Sequence, residues 1–151
     1  HADDARERTV ALQALLDEEL RQGLQSLQIY TGFQPCADKI KNDLLEFLIK
    51  QKKAGKSVVA YGAAAKGNTL LNYAGVKPDL LPFVCDAAAA KQNKFLPGSH
   101  IPILSPHAII EAKPDYVLIL PWNIAEEVKS QLSQGLPSAQ FVTAVPELKI
   151  V

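Results

Sequence analysis

Apolar positions in the first third of the chain recur at helical spacing. Leucines three and four residues apart, with charged side chains between them, predict an amphipathic helix over Arg6–Leu27. After a break at Tyr30–Pro35, a second apolar face predicts a helix over Asp38–Lys53, which ends in lysines followed by Gly55. Because an apolar helix face needs a partner surface, we expect the leucine stripe to be buried against another part of a longer protein or in a homodimer.

From Ser57 onward, short apolar runs alternate with helical segments. The runs predict five strands: Ser57–Tyr61, Leu81–Cys85, Ile101–Leu104, Tyr116–Leu120 and Gln140–Val142. This alternation predicts an α/β fold, a Rossmann-like doubly wound parallel sheet of about five strands with helices on both faces, preceded by two N-terminal helices.

Right-handed crossovers give the predicted sheet the strand order 3-2-1-4-5. Ligands bind such sheets where the order reverses, here at the carboxyl ends of the first and fourth strands. We expect an N-terminal helical segment over residues 1–34 and a sheet domain over residues 35–151.

The turn after the first predicted strand carries the clearest sign of a ligand. Gly62–Gly67 reads Gly-Ala-Ala-Ala-Lys-Gly and leads into a helix, an arrangement in which backbone N–H groups can face a phosphate. The middle glycine of the dinucleotide fingerprint is absent, and Asn68 stands where a P-loop has lysine. We therefore expect a phosphate or diphosphate site without hydrolysis. The alternative is a tight turn that only lets the helix pack on the sheet.

Other candidate ligand contacts follow the remaining strands. Asp86 stands at about the position at which an acidic residue contacts a ribose in βαβ units, or it caps the next turn. Lys91, in the polar loop 87–98, could reach a phosphate or stay solvated, and Trp122 could stack on a base or pack against the sheet edge. His100 is more typical of a structural or surface histidine than of a base. No acid–base pair or activated nucleophile is evident.

Composition narrows the possible functions. Hydrophobic residues make up 48% and charged residues 21%, which is typical of a globular domain. Sixteen basic residues balance sixteen acidic ones, which argues against nucleic-acid binding. No apolar run is long enough to span a membrane, and no His or Cys spacing predicts a metal site.

Cysteine usage and the first residues bear on the setting of the chain. Two cysteines do not make a disulfide framework, which favours the cytoplasm. Cys85 ends an apolar strand and is predicted to be buried and inert. The sequence contains no methionine and begins His-Ala-Asp-Asp. This favours a domain of a longer polypeptide over a trimmed chain.

Several stretches resemble the C-terminal domain of sugar C-methyltransferases. They are YGAAAKGNTLLNYAGV (Tyr61–Val76), FVCDAAAAKQNKFLPGSHIPI (Phe83–Ile103), PDYVLILPWN (Pro114–Asn123) and the terminal VPELKIV. The resemblance covers Tyr30–Val151. It departs after Asp86, where alanines replace the Asn-Pro or Ser-Pro usual in the family.

The chain resembles one part of a larger enzyme, and the resemblance implies a function for that whole enzyme. Such enzymes carry a zinc-binding segment, an S-adenosylmethionine-binding domain and a Rossmann-like C-terminal domain, and they methylate a carbon of a nucleotide-linked keto-deoxysugar. S-adenosylmethionine and the catalytic residues belong to the domain missing here, so no catalytic residue carries over and we expect the isolated chain to be inactive. The implied partners are a nucleoside diphosphate sugar and the S-adenosylmethionine domain of the same polypeptide. The alternative is a free-standing nucleotide-binding or regulatory module.

The residues and the resemblance together give one set of candidate contacts to the nucleotide sugar. They are Tyr61, Gly62, Ala63, Ala64, Lys66, Gly67, Asn68, Thr69, Asp86, Lys91, His100, Trp122 and Asn123.

Overall fold

The computed structural model describes residues 8–151, so Arg6 and Glu7, where the first predicted helix begins, lie outside the described residues. The chain divides into two compact units, one ending at Asp38 and one spanning Lys39–Val151. None of the helices in residues 8–151 combines the length and apolar character needed to cross a membrane.

Between Thr9 and Thr31 the structure has two helices where the sequence predicts one. Helix α1 spans Val10–Arg21 and is capped by Thr9, whose hydroxyl accepts a hydrogen bond from the Leu12 N–H. Helix α2 spans Leu27–Thr31. The prediction of one continuous helix to Leu27 is wrong because Gly23 adopts a left-handed conformation, with φ of 75°, and ends the first helix.

Apolar side chains of the first unit remain exposed in the single chain. More than half of the surface of each of the following is accessible: Val10, Leu15, Leu20, Leu27, Tyr30 and Phe33. Their burial in a dimer or against another part of a longer protein stays a prediction.

The second predicted helix is longer than expected and belongs to the layer packed on the sheet. Helix α3 spans Phe33–Lys53. It includes Pro35 in its first turn, where a missing N–H costs little. Its Leu44, Phe47 and Leu48 side chains are buried in the same core cluster as the strands. The helix therefore covers one face of the sheet rather than simply preceding it.

The sheet has seven strands in the order β3-β4-β2-β1-β5-β6-β7. The strands are β1 (Val58–Tyr61), β2 (Val84–Cys85), β3 (Lys94–Phe95), β4 (Pro102–Leu104), β5 (Tyr116–Ile119), β6 (Gln140–Thr143) and β7 (Lys149–Ile150). The five inner strands are parallel and follow the predicted order 3-2-1-4-5, which is confirmed.

Two antiparallel edge strands account for the difference from about five strands. Strand β3 lies inside the predicted loop 87–98 and pairs with β4. Strand β7 lies in the last residues of the chain and pairs with β6. Each has two residues and both are exposed. Neither therefore carries an apolar alternation from which a strand could be predicted.

Helices cover both faces of the sheet. Helix α4 is Ala65–Tyr73, α5 is Pro106–Ala112 and α6 is Ala125–Ser133. Alternate residues of β1 point to opposite layers: Val58 and Ala60 join the cluster of α3 and α4, whereas Val59 and Tyr61 join that of α5 and α6. The carboxyl ends of β1 and β5 are adjacent, with Tyr61 opposite Ile119.

Candidate functional site

A glycine turn leads the chain out of β1. Gly62 has φ of 91°, and its N–H donates to the Cys85 carbonyl at 2.7 Å. A Cβ at this position would lie 2.4 Å from Cδ of Pro121, in the segment after β5. The turn therefore requires glycine both for its conformation and for the close approach of Pro121.

The second glycine has a different role from the one predicted. Helix α4 begins at Ala65, so Gly67 lies inside the helix and the break predicted there is wrong. A Cβ on Gly67 would lie 2.6 Å from Cβ of Leu120. Gly67 therefore lets α4 pack closely on the end of β5, and its missing side chain faces the core rather than a ligand.

The first turn of α4 presents unbonded N–H groups. The first backbone bond of the helix runs from the Asn68 N–H to the Ala64 carbonyl at 2.9 Å, and no side chain caps the helix at Ala64. The N–H groups of Ala65, Lys66 and Gly67 thus precede the hydrogen-bonded part of the helix. The helix dipole makes this end attractive to an anion.

The remaining predicted phosphate contacts are partly engaged within the protein. The Ala63 N–H donates to Asp86 at 2.8 Å, and the Ala64 N–H donates to the Gly62 carbonyl at 2.8 Å. The Thr69 hydroxyl donates to the Ala65 carbonyl at 3.1 Å. Of the N–H groups predicted between Ala63 and Thr69, those of Ala65, Lys66 and Gly67 make no hydrogen bond within residues 8–151, and Gly67 is itself buried.

Asn68 is a different case. Its side-chain oxygen is buried, and within residues 8–151 it has no hydrogen-bond partner. It is the one predicted contact on α4 that leaves a buried polar atom unsatisfied.

Asp86 holds the glycine turn in place. One carboxylate oxygen accepts from the Ala63 N–H at 2.8 Å and the Lys91 ammonium at 3.0 Å, and the other accepts from the Ala88 N–H at 2.8 Å. Burial alone would raise the pKa of this carboxyl. The hydrogen bonds from Ala88, Lys91 and Ala63 outweigh burial and lower the pKa below its ordinary value.

Lys91 stands at the same turn. Its ammonium also donates to the Ala63 carbonyl at 3.0 Å. Lys91 thereby places a positive charge beside the helix N-terminus. The sequence left two roles open for Asp86, contact with a ribose and capping of the next turn. Its hydrogen bonds to Ala63 and Ala88 are those of the turn-capping role.

Lys66 reaches from α4 to the segment after β5. Its ammonium donates to the Asn123 side-chain oxygen and lies 4.5 Å from the centroid of the Trp122 ring. The structure thus brings together Lys66, Trp122 and Asn123, which the strand order predicted to face one crevice.

Two further predicted residues lie outside the first turn of α4. Tyr61 is buried on the α5–α6 face of the sheet, where burial and then the Asp86 carboxylate raise its pKa. His100 is exposed in the turn between β3 and β4, and its backbone N–H donates to the Leu96 carbonyl at 3.0 Å. That turn contacts Asn72 and Lys77 at the C-terminal end of α4, away from the glycine turn.

Cys85 ends β2, directly before Asp86. Burial raises the pKa of the Cys85 thiol to about 11, which confirms the prediction that it is buried and inert. Residues 8–151 hold no group of three or more His, Cys, Asp or Glu side chains placed to bind a metal ion.

Sequence reasoning missed the part that Pro121 and Leu120 play at the site. These two residues set how closely the glycine turn and α4 approach β5. No sequence signal pairs them with Gly62 and Gly67, because each contact joins segments far apart in the chain.

The strand order defines a doubly wound α/β domain, with the uncapped N-terminus of α4 at the point where that order reverses. A family model described as the C-methyltransferase C-terminal domain matches residues 1–146. The chain belongs to this family of C-methyltransferase C-terminal domains.

Individual relatives were found in two further comparisons. The chain is 33% identical over 142 residues to C-methyltransferase NovU of Streptomyces niveus, a match that covers 93% of this chain and 34% of that protein. The chain thus spans about a third of the length of this relative. Among solved structures, UDP-D-quinovosamine 4-dehydrogenase from Vibrio fischeri is similar with a TM-score of 0.47 and 20% identity, over 64% of this chain and 93% of that chain.

Proposed function

We propose that the chain is the nucleotide-sugar-binding domain of an S-adenosylmethionine-dependent C-methyltransferase that acts on a nucleotide-linked keto-deoxysugar. The diphosphate lies on the N–H groups of Ala65, Lys66 and Gly67, and the Lys66 ammonium turns from Asn123 to a phosphate oxygen. The observation that carries the proposal is the uncapped N-terminus of α4 at the point where the strand order reverses, with Lys66 and Lys91 beside it. Membership of the methyltransferase family favours this role over a free-standing regulatory module.

In this proposal S-adenosylmethionine is bound by another domain of the same polypeptide, as the resemblance implies. Three of about four acceptor positions of the Asp86 carboxylate are used by Ala63, Ala88 and Lys91. Asp86 therefore has about one position left for a ribose hydroxyl of any ligand.

Calorimetric titration with a panel of nucleoside diphosphate sugars tests the phosphate assignment. The variant Lys66→Ala removes a charge-assisted hydrogen bond worth about 1.5–3 kcal/mol, so affinity should fall roughly ten- to hundredfold. Added salt should weaken binding to the parent chain. The matched control is Lys53→Ala, which removes an exposed lysine at the end of α3, on the amino side of the sheet.

Two results would contradict the proposal. One is equal affinity of the Lys66→Ala and parent chains, and the other is an equal loss in the Lys53→Ala control. A separate incubation with labelled S-adenosylmethionine and a nucleotide-linked keto-sugar should give no methyl transfer by this chain alone.

A further inference from the structure

The Lys66 side chain links the first turn of α4 to the segment after β5. Its ammonium donates to the Asn123 side-chain oxygen and lies 4.5 Å from the centroid of the Trp122 ring. We call this contact of Lys66 with Trp122 and Asn123 the Lys66 strap. Helix α4 follows β1 and Asn123 follows β5, the two strands between which the strand order reverses. The strap therefore crosses the crevice in which doubly wound sheets bind their ligands.

The strap holds the ammonium with neutral partners only. Within residues 8–151 Lys66 forms no ion pair, whereas the Lys91 ammonium pairs with the Asp86 carboxylate at 3.0 Å. Asn123 is exposed, so water can replace the ammonium at its amide oxygen. A phosphate oxygen is a stronger partner for an ammonium than an amide or an aromatic ring is. The strap is therefore a contact that an anion can displace.

We propose that the Lys66 strap is an autoinhibitory contact, in which Asn123 and Trp122 compete with the ligand's phosphate for the Lys66 ammonium. The phosphate site is complete only when the strap is open. This inference rests on the proposed function and deepens it, because it adds a regulation of the same site. It also gives Asn123 a role in restraining Lys66 instead of the ligand contact that the sequence predicts.

An internal competitor lowers the measured affinity by the fraction of molecules in which the site is open. Asn123→Ala removes the hydrogen-bonding part of the strap and leaves Lys66 in place. Because Asn123 is exposed, this variant should fold like the parent chain. It should bind a diphosphate about two- to fivefold more tightly than the parent chain does. The direction of the change is decisive, because loss of a residue that contacts the ligand would weaken binding.

Calorimetric titration measures this change with three probes: inorganic pyrophosphate, uridine diphosphate and thymidine diphosphate. Low ionic strength keeps weak binding measurable, because salt screens the attraction between the charges. The double variant Lys66→Ala with Asn123→Ala should bind no more tightly than Lys66→Ala alone, because the strap is already absent there. The matched control is Gln134→Ala, which removes an exposed amide after α6 and should leave the affinity unchanged.

The fluorescence of Trp122 reports the opening of the strap, because Trp122 is the sole tryptophan of the chain. In the parent chain a bound probe takes the ammonium away from the indole ring, so the emission of Trp122 should change on saturation. In Lys66→Ala the ring has no ammonium over it before the probe is added. The change in emission on saturation should therefore be smaller in this variant than in the parent chain.

The outcomes distinguish the strap from the phosphate site. A gain in affinity for Asn123→Ala that disappears in the Lys66→Ala background supports the autoinhibitory strap. Unchanged or weaker binding by Asn123→Ala overturns it, and so does an equal gain in both backgrounds or in the Gln134→Ala control. An equal emission change in the parent and Lys66→Ala chains also overturns it. In all these cases the phosphate site stands, whereas both proposals fail if the parent chain binds none of the three probes.

Discussion

Replacing Gly62 by alanine should damage the fold more than the same change at Gly75. Both glycines have positive φ, 91° and 67° respectively, so both variants force an alanine into a conformation that L-residues avoid. That strain costs about 1–2 kcal/mol. It is offset by about 0.4–1 kcal/mol, because alanine restricts the unfolded chain.

The two positions differ in the space around them. A Cβ on Gly75 meets no atom within 4 Å, whereas a Cβ on Gly62 would lie 2.4 Å from Cδ and 2.8 Å from Cγ of Pro121. The proline ring cannot rotate away as a flexible side chain would, so the backbone after β5 must shift. Such overpacking costs about 1–3 kcal/mol. We therefore expect a loss of about 1 kcal/mol for Gly75→Ala and about 2–4 kcal/mol for Gly62→Ala.

Urea unfolding followed by Trp122 fluorescence measures this difference in the Lys39–Val151 unit, which contains both glycines. In thermal unfolding, Gly62→Ala should lower the midpoint by roughly 5–15 °C for a chain of this size. If the two variants lose the same stability, the contact with Pro121 contributes nothing and the account of the turn is wrong.

Three further expectations follow from the same structure. Gly67→Val should lose about 1–3 kcal/mol by overlap with Leu120, measured by the same urea unfolding. Unchanged stability would contradict the close packing of α4 on Leu120. The pKa of Asp86 is lowered by folding, so its stabilisation is present above the unfolded value near pH 3.9 and disappears as the pH falls through the folded value. Asp86→Asn should therefore lose stability less steeply in acid than the parent chain, and equal slopes would contradict this. Leu15→Glu should abolish any concentration-dependent dimer seen by light scattering, and a parent chain that stays monomeric at high concentration argues against the homodimer.

The order of the parallel strands could be predicted because the inner strands carry short apolar runs and three of the four connections between them are helices, α4, α5 and α6. Buried runs such as Tyr116–Ile119 need no partner to be recognised. The edge strands β3 and β7 pair with β4 and β6, and their own side chains are exposed. Only the folded sheet determines that these residues become strands.

The glycines show a similar division. Sequence identifies Gly62 and Gly67 as special but does not tell which one shapes a turn and which one fits a helix against a strand. That distinction depends on Pro121 and Leu120, which approach the two glycines only in the folded chain. The same limit applies to Asp86, because its partners at Ala63 and Lys91 are brought to it by the pairing of β1 with β2.

The two lysines at the crevice are held in different ways, and the difference bears on what a binding measurement reports. Lys91 donates hydrogen bonds to the Asp86 carboxylate and to the Ala63 carbonyl. Moving its ammonium would therefore break contacts that hold the glycine turn. Lys66 is held by a neutral amide and an aromatic ring, both of which are weaker partners for an ammonium than a phosphate is. A diphosphate can therefore take Lys66 from Asn123 without disturbing the turn. The affinity lost in Lys66→Ala accordingly measures the phosphate contact minus the contacts that Lys66 gives up, which places the expected loss towards the lower part of its range.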